Sequence, residues 1–298
     1  MATAILATAG RERGPAGLAW ALVGLAWALQ VALLALHARR LLHARQAARL
    51  DTAGADESWR PLSFVAATNA LAVGSGDVLP GGVVLALWLV AVAAWAALGA
   101  RALRDWRTMR ARPRGGWLLV VVATQSLAIV AASGRLPGAW AHLSVLARSW
   151  FAASLAGYLL IVAAMARRFA TGGPLARWRA DGWIVMGALA ITALAGSELH
   201  RDLALLLPWA AATLSIPFVA GLDVAALRAR GGGLSHETDR WAMAFPLAMW
   251  SVASHAVAQH LGTRAVDVAG AVAFWAGLAA WLLAAHATVT SLGRPRQR

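Results

Sequence analysis

Long apolar stretches alternate with short polar connections along almost the whole chain. A helix needs about 20 apolar residues to cross a hydrocarbon core of about 30 Å. Nine stretches approach that length, at residues 15–37, 62–79, 82–100, 115–134, 140–166, 182–198, 203–224, 240–260 and 266–290. This pattern predicts an all-α integral membrane protein built from helical hairpins, with residues 1–298 forming a single transmembrane domain.

The first apolar piece, Met1–Gly10, is too short to span a membrane. At the helical rise of 1.5 Å per residue it covers about 15 Å. The alternation of the connections puts Arg11-Glu12-Arg13 outside the cell. Met1–Gly10 is therefore either a short external tail or the outer half of a helix that enters from the cytoplasm, with a true start upstream of Met1. The residues alone leave both interpretations open.

Composition and charge agree with the membrane class. Only 13% of the residues are charged and 60% are hydrophobic, whereas about a quarter of a soluble domain is charged. The net charge of +14 could indicate nucleic-acid binding, but the arginines lie in short loops between apolar stretches, which excludes a nucleic-acid partner and favours the lipid bilayer. The absence of cysteine excludes disulfides and thiolate metal sites.

The distribution of arginine predicts the orientation. The positive-inside rule places the more basic connections in the cytoplasm. One alternating set of connections and the C-terminal tail hold 21 arginines, the other set holds five, and Arg148 lies inside a predicted span. We therefore expect a multi-pass protein of a bacterial plasma membrane with a cytoplasmic C-terminus. Tryptophans near the span ends are typical of interfacial anchors, among them Trp106, Trp117, Trp178, Trp183 and Trp241.

The sequence carries no constellation typical of an enzyme. The carboxylates lie at or near predicted span ends, and neither a phosphate-binding glycine loop nor a His-x-x-x-His metal spacing is present. We therefore predict no catalytic residue, no metal and no cofactor. An intramembrane enzyme is poorly supported for the same reason.

Among the ionisable side chains within the predicted spans, Arg148 and His255 are the candidates for function. A charged group inside a membrane is by default a functional hypothesis. Arg148 is either an anion-attracting charge near the outer vestibule or a snorkelling arginine paired with Glu198 or Asp267. His255, near Ser251, is either a pH-sensitive pore group or a neutral packing histidine.

Several uncharged polar and small residues are also candidates for pore lining. The expected set is Thr68, Asn69, Gln125, Ser126, Gly187, Thr192 and Ser251. Side chains of this kind either join neighbouring helices by hydrogen bonds or close packing, or they contact a substrate in a pore. Both interpretations stay open on the residues alone.

An internal proline raises a separate question. The stretch RWAMAFPLAMW places Phe245 directly before Pro246, although proline costs about 3 kcal/mol inside a helix. A bend at Pro246 can direct the Phe245 ring into a pore, where an apolar ring gates by dewetting. The alternative is that Phe245 faces a neighbouring helix and Pro246 only shapes the packing.

Five ordered stretches resemble the tellurite-resistance/dicarboxylate transporter family, which includes plant slow anion channels, fungal malate transporters and sulfite exporters. They are SFVAATNALAVG (63–74), VVATQSLAIVAA (121–132), DGWIVMGALAITALAG (181–196), WAAATLSIPF (209–218) and RWAMAFPLAMWSVASHAVA (240–258). The chain is most similar to the bacterial, actinobacterial-type members. Met1–Ile5 is similar to the middle of the family's first helix, so the resemblance favours a chain truncated within that helix.

The resemblance implies about ten transmembrane helices, the first incomplete, as five hairpins around a central pore, and a homotrimer. It also implies that Phe245 plugs the pore, as the phenylalanine before the proline of the ninth family helix does. The expected function is passage of small anions, such as organic acid anions, sulfite, chloride or nitrate. The alternatives are a proton-coupled C4-dicarboxylate carrier, with His255 as the proton site, and a non-transporting or inactive truncated membrane protein.

Overall fold

The computed structural model describes residues 1–43, 59–75, 78–111, 113–138, 140, 143–171, 178–229 and 241–292. Within them the chain forms eleven α-helices and no strand. The helices are α1 (Ala2–Arg13), α2 (Ala16–His43), α3 (Leu62–Gly74), α4 (Gly81–Arg104), α5 (Trp106–Ala111), α6 (Leu119–Ala132), α7 (Ser144–Ala170), α8 (Ile184–Glu198), α9 (Asp202–Ala229), α10 (Trp241–Leu261) and α11 (Arg264–Leu292). The 3-10 helices Gly115–Leu118 and Ala180–Trp183 lead directly into α6 and α8.

The long helices pair as five hairpins arranged around a centre. The pairs are α1–α2, α3–α4, α6–α7, α8–α9 and α10–α11. The first member of each pair belongs to an inner ring, which is closed because α1 contacts both α3 and α10, while α6 and α8 complete the circuit. The second members pack outside this ring. The predicted all-α membrane fold is thereby confirmed.

The two layers differ in length and in burial. The inner helices are 12 to 21 residues long, and the outer ones are 24 to 29. Inner segment 115–132 is 89% buried, whereas the outer spans are only 17% to 33% buried. Alanine and glycine let the inner helices approach closely, while leucine and valine of the outer helices face outward. Seven helical segments in the described residues are long and apolar enough to cross a membrane.

Helix α1 bears on the interpretation of Met1–Gly10 as an external tail. This segment is helical, and seven of its residues are buried. Its contacts are with α3, α10 and α11 as well as α2. Thr8 packs on Gly74, where an added Cβ would lie 2.5 Å from the threonine hydroxyl. The interpretation as an external tail is therefore wrong, because the apolar surface of α1 completes the inner ring.

Two predicted span boundaries are also corrected. Helix α3 ends at Gly74 instead of residue 79, because two side chains satisfy its last carbonyl groups: Arg11 Nη1 donates to Gly74 O at 2.9 Å and Arg135 Nη1 donates to Val73 O at 3.2 Å. Helix α7 begins at Ser144 instead of residue 140, after a turn in which Gly138 has φ of +59°, a conformation that favours glycine.

The ring has two chemically different ends. We call the end where α3, α6, α8 and α10 begin the arginine-rich end; its arginines include Arg60, Arg101, Arg104, Arg114, Arg168 and Arg179. The opposite end holds the last turn of α1 and the start of α11. Three of the predicted interfacial tryptophans are buried instead: Trp117, Trp178 and Trp183 are only 2% to 7% exposed. The last two donate to the Asp223 carboxylate at 2.7 and 2.6 Å, since a buried indole N–H needs an acceptor.

Candidate transport pathway

Two cavities lie along the inner ring, one beyond the other, and the larger one also reaches outer helix α2 at Ala26, Leu29, Gln30 and Leu33. The larger cavity, at the arginine-rich end, has a volume of about 480 Å³, and its lining includes Thr3, Gln30, Arg60, Ala67, Asp181, Ala242 and Phe245. The smaller cavity has a volume of about 40 Å³, and its lining includes Thr8, Asn69, Ala70, Ser126, Ile191 and Phe245. All five inner helices contribute to the lining of both cavities, so the two follow one another along the ring.

Phe245 is the only described residue that lines both cavities. Its residue exposure is only 1%, so it is packed between them. It sits one turn into α10, which continues through Pro246. Pro246 has no N–H to donate to the carbonyl of Ala242, and Ala242 lines the larger cavity. Water in that cavity can therefore hydrate the freed carbonyl.

The smaller cavity carries a short polar contact between two helices. Asn69 Nδ2 donates to Ser126 Oγ at 2.9 Å, and Ser126 Oγ donates to Ala123 O at 2.7 Å. Asn69 Oδ1 is buried and has no hydrogen-bond partner among the described residues. This oxygen and the second N–H of the amide leave Asn69 able to bind a molecule in the cavity.

Other predicted pore-lining residues bind neighbouring helices instead. Gln30 Nε2 of α2 donates to Thr68 Oγ1 at 2.7 Å, and Gln125 Nε2 of α6 donates to Thr192 Oγ1 at 3.2 Å. Neither Thr68 nor Gln125 nor Thr192 lines either of the two cavities. Their contacts fit the interpretation as hydrogen bonds that hold helices together. Gln30 was not among the residues singled out from the sequence. It joins α2 to α3 through Thr68 and also lines the larger cavity.

Gly187 and Ser251 pack beside the path. Gly187 lies against Phe245 and Pro246, with no room for a side chain. Ser251 is fully buried in α10, and its hydroxyl has no partner in the described part of the chain. The structure thus brings Asn69, Ser126 and Gly187 together around Phe245, and it places Ser251 one to two turns further along α10.

A charged cluster closes the end of the ring opposite the arginine-rich end. Arg13 Nη1 lies 2.6 Å from Asp267 Oδ1 and also donates to the Asp267 carbonyl at 2.8 Å. His255 Nδ1 lies 3.1 Å from the same carboxylate oxygen, and Gln259 Nε2 lies 3.0 Å from His255 Nε2. The Arg13 side chain is only 4% exposed. The cluster fastens α1 to α10 and α11, and it holds His255 away from both cavities.

Sequence reasoning missed Arg13, and one of its two interpretations of Arg148 paired that arginine with Glu198 or Asp267. The ion pairs of Asp267 run instead to Arg13 and His255. Arg148 is exposed in the second turn of α7, an outer helix. The signal for Arg13 was present in the sequence, since Arg13 and Asp267 both stand at span ends on the same predicted side.

The charged groups of the larger cavity belong to its rim. Asp181 Oδ2 accepts the N–H of Gly116 at 3.1 Å, which joins the two 3-10 helices. The Arg60 guanidinium lies 5.6 Å from the centre of the Trp59 ring, within the range of a cation–π contact. Four inner helices direct their N-terminal ends toward this rim, and helix N-termini carry partial positive charge. The rim therefore combines arginine and amide groups that can attract anions.

The sequence of the chain matches a protein family model. The family model of SLAC1, described as "Voltage-dependent anion channel", matches residues 1–289. The match covers all five hairpins, both cavities and the charged cluster. A search of the curated proteins finds no match.

Proposed function

From the premise that the chain belongs to the voltage-dependent anion channel family, we propose that it moves small anions along the path through its inner ring, and that Phe245 closes this path. Membership of this family supports anion transport by a channel-like membrane protein. The transported species we propose are organic acid anions, sulfite, chloride or nitrate. No covalent step and no cofactor enter this mechanism.

The position of Phe245 between the two cavities carries the proposal. The ring lines both the larger and the smaller cavity, and it is almost fully buried between them. A ring of carbon atoms offers an ion no ligand that could replace its water shell, so a closed apolar constriction stops conduction. Movement of this one side chain would join a cavity of about 480 Å³ to one of about 40 Å³.

Electrostatics favours anions over cations on this path. The net charge of +14 and the helix N-termini at the arginine-rich rim raise the local concentration of anions. Beyond Phe245, the polar lining of the smaller cavity consists of Thr8, Asn69 and Ser126, which add no negative charge. The hydroxyls of Thr8 and Ser126 already donate to backbone carbonyls, so the second amide N–H of Asn69 is the donor we propose for an anion.

The uneven distribution of arginine also supports a proposal for the orientation of the protein and for the membrane that holds it. We propose that the arginine-rich end faces the cytoplasm of a bacterium, as the positive-inside rule requires, and that the C-terminus lies on that side of the plasma membrane. The homotrimer implied by the family resemblance stays a prediction, as does a single domain over residues 1–298.

The proton-coupled dicarboxylate carrier is the weaker alternative. It depends on His255, whose described contacts are Asp267 and Gln259, outside the lining of both cavities. We therefore do not assign His255 a role in the transport step. A non-transporting or inactive membrane protein is the alternative that a direct flux measurement excludes.

Anion flux into liposomes tests the proposal. Phe245→Ala should raise the flux by about tenfold or more, equivalent to lowering the barrier by about 1.4 kcal/mol. The matched control is Phe274→Ala, which removes an equally buried phenyl ring from outer helix α11, where it lines neither cavity. Phe274→Ala should leave the flux of correctly folded protein unchanged. Equal flux from the wild type and folded Phe245→Ala would overturn the gate, and no anion flux from either would overturn the transport function.

A further inference from the structure

Gly187 of α8 lies directly against the phenyl ring of Phe245. A Cβ added at Gly187 would stand 2.9 Å from Phe245 Cε1 and 3.1 Å from both Cβ and Cγ of Pro246. Carbon atoms in contact prefer separations of about 3.5–4.0 Å. Even the smallest side chain at position 187 would therefore overlap the gate residue and its proline.

The backbone of α8 does not need glycine at this position. Gly187 lies in the interior of a regular helix and outside the left-handed region that favours glycine. Glycine in such a position costs about 1 kcal/mol relative to alanine. The neighbouring Ala188, Ala190 and Ala193 carry a Cβ and are fully buried in the same helix. The missing Cβ of Gly187 therefore provides space rather than backbone freedom.

Helix α10 has no room to move away from Gly187 as a whole. On its other side it packs on Gly277 of α11, where an added Cβ would lie 3.2 Å from the Ala248 nitrogen and 3.3 Å from Leu247 Cβ. The proline ring is rigid. Crowding at position 187 is therefore relieved most easily by rotation of the Phe245 side chain, which has two free torsions.

We propose that Gly187 is a positioning residue for the gate: its bare Cα forms the seat on which the Phe245 ring rests when the path is closed. The volume of the side chain at position 187 then determines how stable the closed position is. This inference rests on the proposed role of Phe245 as the gate, and it assigns the seat to a second helix that the sequence offered only as a candidate lining segment.

A double-mutant cycle tests the seat. Anion flux into liposomes is measured for the wild type, Gly187→Ala, Phe245→Ala and the double variant. Gly187→Ala should raise the flux by about fivefold, equivalent to about 1 kcal/mol, and the double variant should match Phe245→Ala, because no ring is left to displace. The matched control is Gly221→Ala in outer helix α9, where an added Cβ meets nothing within 4 Å; it should behave as the wild type.

The outcomes separate the seat from the gate. The seat is overturned if Phe245→Ala raises the flux and Gly187→Ala leaves it unchanged, or if Gly187→Ala changes the flux by the same factor in both backgrounds. A Phe245→Ala variant with unchanged flux overturns the gate, and the seat with it.

If Gly187→Ala gives too little folded protein for the flux assay, its thermal unfolding midpoint tests the seat instead. Gly187→Ala should then lower the thermal unfolding midpoint in the wild-type background but not in the Phe245→Ala background, because no ring is left there to overlap. An equal loss of midpoint from Gly187→Ala in both backgrounds would overturn the seat.

Discussion

The two ends of the inner ring differ in how they are built. At the arginine-rich end the ring is open and encloses a cavity of about 480 Å³, with Arg60 and Asp181 in its lining. At the opposite end the helices are fastened together by Arg11, Arg13 and Arg135, and the cavity shrinks to about 40 Å³. Arginine thus occupies two environments in one molecule: it is largely exposed at one end, and at the other it donates to helix carbonyl groups and holds helices together.

Phe245 lies between the open, arginine-rich end of the ring and the end that is fastened by arginines. On the proposed function, the wide end collects hydrated anions at its polar rim, and Phe245 closes the way to the space beside Asn69 and Ser126. The proposed gate thus stands where the wide cavity meets the narrow one, one turn into α10 from the arginine-rich end.

The largest expected effect comes from breaking the fastened end. Asp267→Ala leaves Arg13, which is 4% exposed, buried without its counter-charge, and stranding a buried charge costs about 3 kcal/mol. Arg13→Met leaves Asp267, whose side chain is 44% exposed, free to be hydrated. Thermal unfolding in detergent should therefore show a larger drop for Asp267→Ala than for Arg13→Met. An equal or reversed order would contradict the assignment of the arginine as the buried partner.

A smaller effect is expected from the narrow cavity. Asn69→Leu, made in the Phe245→Ala background, removes an amide donor worth about 1 kcal/mol and should lower anion flux by about fivefold. Gln125→Leu is the matched control, since it also removes a buried amide, but one that joins α6 to α8 outside both cavities. Equal loss of flux in folded samples of both variants would show that Asn69 acts only through helix packing.

The smallest effect is expected at His255. At each pH between about 6 and 8, the anion flux of His255→Gln should differ from that of the wild type by less than about twofold. This range is chosen because a proton-carrying histidine would act there. Its nitrogens contact Asp267 and Gln259, and its side chain lines neither cavity. Flux that loses its pH dependence in this variant would instead support the proton-coupled carrier.

The hairpins could be predicted from the sequence because apolar length and arginine alternation depend only on local composition. The difference in length between inner and outer helices could not, since the end of α3 at Gly74 depends on two arginines distant in sequence, Arg11 and Arg135. Phe245 and Asn69 line the cavities, and their roles as gate and pore lining stay predictions. The role of Gln125 stayed open, because an amide in an apolar stretch can face either a lumen or a neighbouring helix.

Accessibility on the two sides of Phe245 tests the central claim most directly. The chain has no cysteine, so a single introduced thiol is unambiguous. Ala67 lines the larger cavity and Ala70 the smaller one, on the same face of α3. An impermeant, negatively charged thiol reagent is applied only at the arginine-rich side, and the rate of modification is measured.

We expect Ala67→Cys to react and Ala70→Cys to be protected, and we expect the protection to disappear when Phe245→Ala is added to Ala70→Cys. The first result would show that anions reach the larger cavity, and the second that the phenyl ring alone bars the way to the smaller one. Rapid modification of Ala70→Cys with Phe245 in place, or continued protection after its removal, would contradict Phe245 as the gate.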